Sequence, residues 1–185
     1  MKYDDAKNYY PVFLACAIAV SIATLWPQVA LAHIESGEAG GFLSGLSHPV
    51  SGLDHIIAMV AVGLWGAQLG MPAIWVLPVA FPMMMAFGGM LGLIGMPLPG
   101  VEVGIAASAV VLGALILGEV RLALTFSVPI VAFFAVFHGH AHGTELQEGQ
   151  NAMLYSLGFV TSTGLLHASG IVIGLLHRWP SGRIA

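Results

Sequence analysis

The chain has 185 residues, of which 58% are hydrophobic and only 8% are charged, and its mean hydropathy is +0.91. Soluble domains carry about a quarter charged residues, so this composition indicates a membrane protein. A net charge of −4 with five Lys and Arg residues excludes a basic surface for nucleic acid, and the single Cys16 excludes a disulfide framework and a cysteine-rich zinc site.

The N-terminal segment has the pattern of a signal peptide. Its apolar run at 12–26 follows Lys2 and Lys7, and the small-residue pattern Ala-Leu-Ala at 30–32 predicts cleavage before His33. Acidic residues near the start weaken this pattern. We therefore expect residues 1–32 to be either a cleaved signal peptide or a retained first transmembrane helix.

Five apolar segments follow a polar, glycine-rich stretch at 33–47, which we expect to be a loop. They lie near 49–70, 72–96, 101–118, 122–142 and 151–176. Each has about the length needed to cross a hydrocarbon core of about 30 Å. The connections are short, so consecutive helices should be antiparallel neighbours. The sequence therefore predicts an all-α, polytopic transmembrane bundle in which 33–185 form one domain.

The few cations predict the orientation of this bundle. Under one topology every Lys and Arg falls on the cytoplasmic side, as the positive-inside rule requires. These residues are Lys2, Lys7, Arg121, Arg178 and Arg183. The mature N-terminus is then outside and the C-terminus is cytoplasmic, and we expect the protein in a bacterial inner membrane.

The first segment begins with a group of ionisable residues, which are costly inside a membrane and therefore indicate function. Pro49 suits the first helical position, with His48 just before it. On a continuous helix His48 and His55 would lie about 10 Å apart, too far to bind one ion. Either the segment before Gly52 is unwound or folded back, or the two histidines act in sequence. Asp54 could bind an ion or orient His55, and the alternative is that these residues have only structural roles.

The fourth segment ends with a second histidine group. His138 and His142 are one helical turn apart, so both imidazoles can reach one ion, and Glu145 continues that face if the helix extends past Gly143. His140 projects to the other side, where it could serve a second ion, a neighbouring helix or the membrane interface. Both motifs fall near the outer face under the predicted topology, so we expect them to form one site.

Two further histidines are weaker candidates. Cleavage would place a free amine beside His33, which is then either a capture ligand or part of a solvated tether. His167 lies deep in the fifth segment and is either an exit ligand or a hydrogen-bonded packing histidine. Imidazole with carboxylate suits nickel, cobalt, zinc or copper(II), whereas magnesium and calcium prefer oxygen ligands.

The two motifs resemble those of the HupE/UreJ family of nickel/cobalt permeases, which are associated with hydrogenase and urease maturation. The first motif is His-Pro-x-x-Gly-x-Asp-His within a run from 48 to Trp65, and the second is Phe-His-Gly-x-Ala-His-Gly-x-Glu at 137–145. The resemblance implies functional roles for His48, Asp54, His55, His138, His142 and Glu145, and says nothing about His140. It implies secondary transport of nickel, with cobalt as the second candidate, and neither enzymatic activity nor a permanently bound cofactor. The expected partners are the divalent ion and the lipid bilayer, with a metallochaperone or a second copy left open.

Two other classes of protein remain as alternatives. The spacing His138-x3-His142 resembles one histidine box of membrane di-iron oxygenases and desaturases, although these use several boxes. A bis-histidine haem protein could use, for example, His55 and His138. Bound iron with a lipid product would indicate the first class, and the visible absorption spectrum would indicate the second.

Overall fold

The chain folds as a bundle of α-helices, and a computed structural model describes residues 40–145 and 151–177. In chain order the helices are α1 (Gly40–Ser51), α2 (Leu53–Leu69), α3 (Ala73–Leu93), α4 (Val101–Leu117), α5 (Leu124–Glu145) and α6 (Ala152–Leu176). Neither described range contains a β-strand, which agrees with the predicted all-α class. The predicted signal peptide or first helix at 1–32 lies outside the described residues, as does His33.

The apolar helices give the fold its multi-pass membrane character. Within the described ranges, the helices long and apolar enough to cross a membrane are Ala73–Leu93, Leu124–Thr144 and Met153–Leu176. The bent pair α1 and α2 adds a fourth span if it is taken as one, and α4 is a shorter apolar helix of 17 residues. The five predicted segments thus correspond to α2 to α6. Among the described residues, however, only three or four spans are long and apolar enough to cross a membrane.

Helix α1 shows that the prediction of a loop at 33–47 was wrong for residues 40–47. Its residues Gly41, Gly45 and Pro49 recur every four positions and are buried. A Cβ atom at Gly45 would overlap the backbone of Tyr155 in α6, so this glycine serves close helix packing rather than flexibility. Pro49 lies inside α1 and not at a first helical position. The glycines that indicated a loop are the residues that let α1 pack closely against α6.

Gly52 separates α1 from α2 and turns the chain sharply. Its backbone is extended, with φ −107° and ψ 125°, and the two helices are bent by 82° at this break. One of the two predicted arrangements for this segment, a fold-back before Gly52, is therefore confirmed. The bend brings residues on either side of it closer together than a continuous helix would.

Helices α3 and α5 form the most extensive pair in the bundle. A side chain at Gly88 would overlap the carbonyl of Val136, and a side chain at Gly139 would overlap the carbonyl of Met85. Small residues at such positions let two backbones approach closely in lipid. The two helices run parallel, so the histidine-rich end of α5 is fixed against the end of α3.

Helices α2 and α6 also run parallel in close contact. A side chain at Gly63 would overlap the carbonyl of His167, and one at Gly170 would overlap the carbonyl of Val60. At the far end of α2, the indole N–H of the fully buried Trp65 donates to the carbonyl of Val120 at 3.2 Å. These contacts fix the depth of α2 residues relative to α6 and to the segment that follows α4.

Candidate metal-binding site

Four imidazoles meet where α2 begins and α5 ends, and we call His48, His55, His138 and His142 the histidine cluster. The ring centres of His142 lie 4.6 Å from His48 and 4.5 Å from His55, and His55 lies 5.1 Å from His138. Two imidazoles that bind one ion at about 2.0–2.1 Å have ring centres about 5 Å apart. The structure therefore brings the two sequence motifs together at a spacing compatible with one ion.

The bend at Gly52 explains how His48 joins this cluster. The ring centres of His48 and His55 are 6.3 Å apart. A continuous helix would separate these positions by about 10 Å, because each residue adds about 1.5 Å of rise. The fold-back thus removes the geometric objection to a shared ion.

Asp54 fixes the orientation of His55. The two side chains are joined by a hydrogen bond of 3.1 Å between His55 Nδ1 and Asp54 Oδ1. An ionised carboxylate only accepts, so His55 donates through Nδ1–H, and Nε2 carries the lone pair. That Nε2 atom is buried and has no hydrogen-bond partner. Asp54 therefore orients the imidazole of His55, in the arrangement by which carboxylates commonly orient histidines around metal sites.

Ser108 on α4 fixes His138 in the same manner. Its hydroxyl donates to the carbonyl of Ile105 at 2.6 Å, so the 2.9 Å bond to His138 Nε2 is one in which the imidazole N–H donates to Ser108. Nδ1 of His138 is then the bare nitrogen, and it is buried without a partner. The sequence motifs did not include Ser108. The available signal was its position as the one hydroxyl side chain in α4.

His142 is the adjustable member of the cluster. Both of its ring nitrogens are buried without hydrogen-bond partners, and its ring packs 4.7 Å from the ring centre of Phe159. A cavity of about 200 Å³ adjoins it. Among the described residues, no three His, Cys, Asp or Glu side chains already enclose a point where an ion could sit. Chelation would therefore require ring rotation, and no hydrogen bond holds the ring of His142 in place.

The remaining predicted site residues lie apart from the cluster or outside the described region. His140 is buried and donates through Nε2 to the carbonyl of Met96 at 2.7 Å, which ties α5 to the residues after α3. His167 hydrogen-bonds to the backbone of Pro78. Helix α5 extends to Glu145, as the predicted continuation of its face requires, but that side chain lies outside the described part of the structure.

The geometry also bears on the haem alternative. His55 and His138 are in direct ring contact, with centres 5.1 Å apart and an interplanar angle of 89°. This contact leaves no room for a macrocycle between them. A haem held by this pair of histidines would need a different arrangement of α2 and α5.

Comparison with known proteins identifies the family. The family model described as HupE / UreJ protein matches residues 20–184. The chain belongs to the HupE/UreJ family. A HupE/UreJ relative, Protein HupE from Rhizobium leguminosarum bv. viciae, is 44% identical over 168 residues, which are 90% of this chain and 87% of the relative. No solved structure matches the chain. The family resemblance inferred from the two histidine motifs is therefore confirmed.

Proposed function

We propose that this HupE/UreJ protein is a secondary transporter of a divalent transition-metal ion, which binds at the histidine cluster. The main support is that ring nitrogens of His55, His138 and His142 are buried there without hydrogen-bond partners. An unpaired polar atom in an apolar interior is costly, and polar residues retained within membrane helices generally serve transport or binding. A metal ion would satisfy all three imidazoles at once.

The donor set supports nickel as the transported ion, with cobalt as the second candidate. Imidazole nitrogen favours nickel, cobalt, copper and zinc over magnesium and calcium. The implied role of the family in supplying hydrogenase and urease favours nickel within that group. Nickel is here the substrate, so the proposal includes neither a resident cofactor nor an enzymatic reaction.

The burial of the four rings supports a direction of movement through the cluster. His48 is only partly buried, His55 and His142 are 9% and 7% exposed, and His138 is 0% exposed. An ion arriving at this end of the bundle would meet His48 first and His138 last. The positive-inside pattern supports placing this end at the outer face, and Asp54 adds negative charge beside His55.

Nickel binding to purified protein, measured by calorimetry, and radiolabelled nickel uptake by cells test this proposal together. We expect His138→Ala and His142→Ala each to weaken binding and to reduce uptake at low nickel by at least tenfold. His177→Ala is the control, because this exposed histidine caps the opposite end of α6. His140→Ala should lower thermal stability without changing nickel affinity.

The same preparation separates the competing functions. Nickel uptake at the wild-type rate by the double variant at His138 and His142 would refute the shared site. Purification with bound iron and a modified lipid would favour an oxygenase, and a haem absorption spectrum would favour a haem protein.

A further inference from the structure

A second unpaired imidazole nitrogen lies deeper in the bundle, away from the histidine cluster. His167 on α6 is 2% exposed, and its Nε2 atom has no hydrogen-bond partner. Thr163, one turn earlier on the same face, is 0% exposed and its hydroxyl oxygen also has no partner. Two buried, unpaired polar atoms one turn apart on one helix are expensive in an apolar bundle, so they require an explanation.

The other nitrogen of His167 has a clear structural role. Because proline has no N–H, the hydrogen bond between His167 and the Pro78 backbone goes to the carbonyl of Pro78. That carbonyl lacks its usual helical donor, since the residue four positions later is Pro82. His167 thus satisfies a carbonyl that the proline leaves open. This bond fixes the ring and leaves Nε2 with its lone pair, the form that binds a metal ion.

Phe81 on α3 contacts both the cluster and this deeper histidine. Its fully buried ring has its centre 5.7 Å from that of His138 and 5.6 Å from that of His167. In the described part of the chain, no direct ring contact joins His138 to His167. The ring of Phe81 thus lies in contact with both imidazoles.

Helix geometry places these groups in order of depth. His167 lies eight residues beyond Phe159, which packs on His142, so it is about 12 Å deeper along α6. Its backbone also contacts Gly63, eight residues beyond His55 on α2, which gives the same depth of about 12 Å. The spacing along α6 and the spacing along α2 therefore give the same result: His167 lies about 12 Å deeper in the bundle than the cluster.

We propose that His167 is a second binding station for the transported ion and that the ring of Phe81 is the gate between this station and the histidine cluster. This inference rests on the proposed transport function. An apolar ring between two sets of nitrogen ligands blocks a hydrated ion, and displacement of the ring lets the ion pass from His138 to His167. The hydroxyl of Thr163, unpaired and one turn above His167, is a second ligand at the deeper station.

Two measurements on purified protein test the two stations separately. Nickel affinity in detergent reports the cluster, and nickel flux through proteoliposomes reports the complete path. In His167→Gln the amide can still donate to Pro78, but the imidazole ligand is lost. We expect the affinity of the cluster to stay within threefold of wild type, while the initial rate of nickel uptake falls at least tenfold.

Removing the ring of Phe81 should increase the passive flux of nickel. In Phe81→Ala we expect at least a fivefold faster leak of preloaded nickel down its gradient. Phe134→Ala is the matched control, because Phe134 is a buried phenylalanine of α5 whose ring pairs with Phe133. If Phe81→Ala does not fold, Phe81→Leu keeps apolar bulk without the ring and should leak at least twofold faster.

The outcomes distinguish this inference from the function on which it rests. Failure of the wild-type protein to bind or move nickel would overturn both. A transporting wild type together with full-rate His167→Gln would overturn the second station alone. A leak in the Phe81 variants no greater than in Phe134→Ala would overturn the gate.

Discussion

Replacing Ser108 by alanine tests how the candidate ligands are oriented. The hydroxyl of Ser108 accepts the N–H of His138 at 2.9 Å and donates to the carbonyl of Ile105 at 2.6 Å. These two bonds assign the proton of His138 to Nε2 and leave the lone pair on Nδ1, the nitrogen that would bind the ion under the proposed function. In Ser108→Ala the imidazole loses this constraint, so its proton can move to Nδ1 and block the ligand position.

Ser108→Ala should lower both the stability of the protein and its affinity for nickel. Loss of the acceptor leaves a buried N–H unpaired, which costs about 1–3 kcal/mol of stability. Removal of a hydrogen-bonding partner behind a metal ligand typically lowers metal affinity about 10–100-fold. A tenfold change in affinity corresponds to about 1.4 kcal/mol, so both effects lie in the same range. We therefore expect the dissociation constant for nickel to rise about 10–100-fold.

Calorimetric titration of the purified variant with nickel measures this effect, and thermal unfolding in detergent measures stability in parallel. Ser127→Ala is the matched control: Ser127 is equally buried, but its hydroxyl bonds only to the carbonyls of Leu122 and Ala123, at 3.3 and 3.2 Å. The control should lose stability without losing nickel affinity. Nickel binding by Ser108→Ala within twofold of wild type would refute the assigned tautomer of His138.

Two other predictions concern packing and orientation. Gly139→Ala should lower thermal stability in detergent, because its Cβ atom would overlap a backbone carbonyl of α3, whereas Gly113→Ala should have no effect, because nothing lies within 4 Å of its Cβ position. Equal stability of the two variants would contradict the close contact of α3 and α5. In a background without Cys16, a cysteine at Asn151 should react with an impermeant label from outside and one at Arg121 only from the cytoplasm; external labelling at Arg121 would reverse the orientation.

The sequence predicted most helices well because lipid leaves an apolar segment few alternatives to a helix. Segment 122–142, for example, corresponds to α5, which spans Leu124–Glu145. Helix α1 was missed because local composition alone distinguishes poorly between a glycine-rich loop and a glycine-rich packing helix. The difference lies in its contact with α6, more than 100 residues further along the chain at Tyr155. Such a contact cannot be read from a local pattern.

The residues of the candidate site also include some that the sequence predicted and some that it did not. Histidines inside apolar segments are conspicuous because their burial is costly, and helical periodicity alone separated His140 from the face of His138 and His142. Ser108 was not predicted, since serine is ordinary in membrane helices and its importance depends on which helix faces α5. Phe81 was missed for the same reason, because its proposed role depends on contacts with two histidines of other helices.

The way each imidazole is held has a consequence for the proposed transport cycle. His55 and His138 are fixed by Asp54 and Ser108, whereas His48 belongs to α1, which packs far more extensively on α6 than on α2. The 82° bend at Gly52 separates the two helices, so His48 is positioned by the contact of α1 with α6, whereas His55 is positioned by α2 and Asp54. His48 is also the least buried of the four imidazoles, so under the proposed function an arriving ion would meet it first. Transfer from His48 to the buried nitrogens of His55, His138 and His142 would then require rotation of the His142 ring, which no hydrogen bond holds in place.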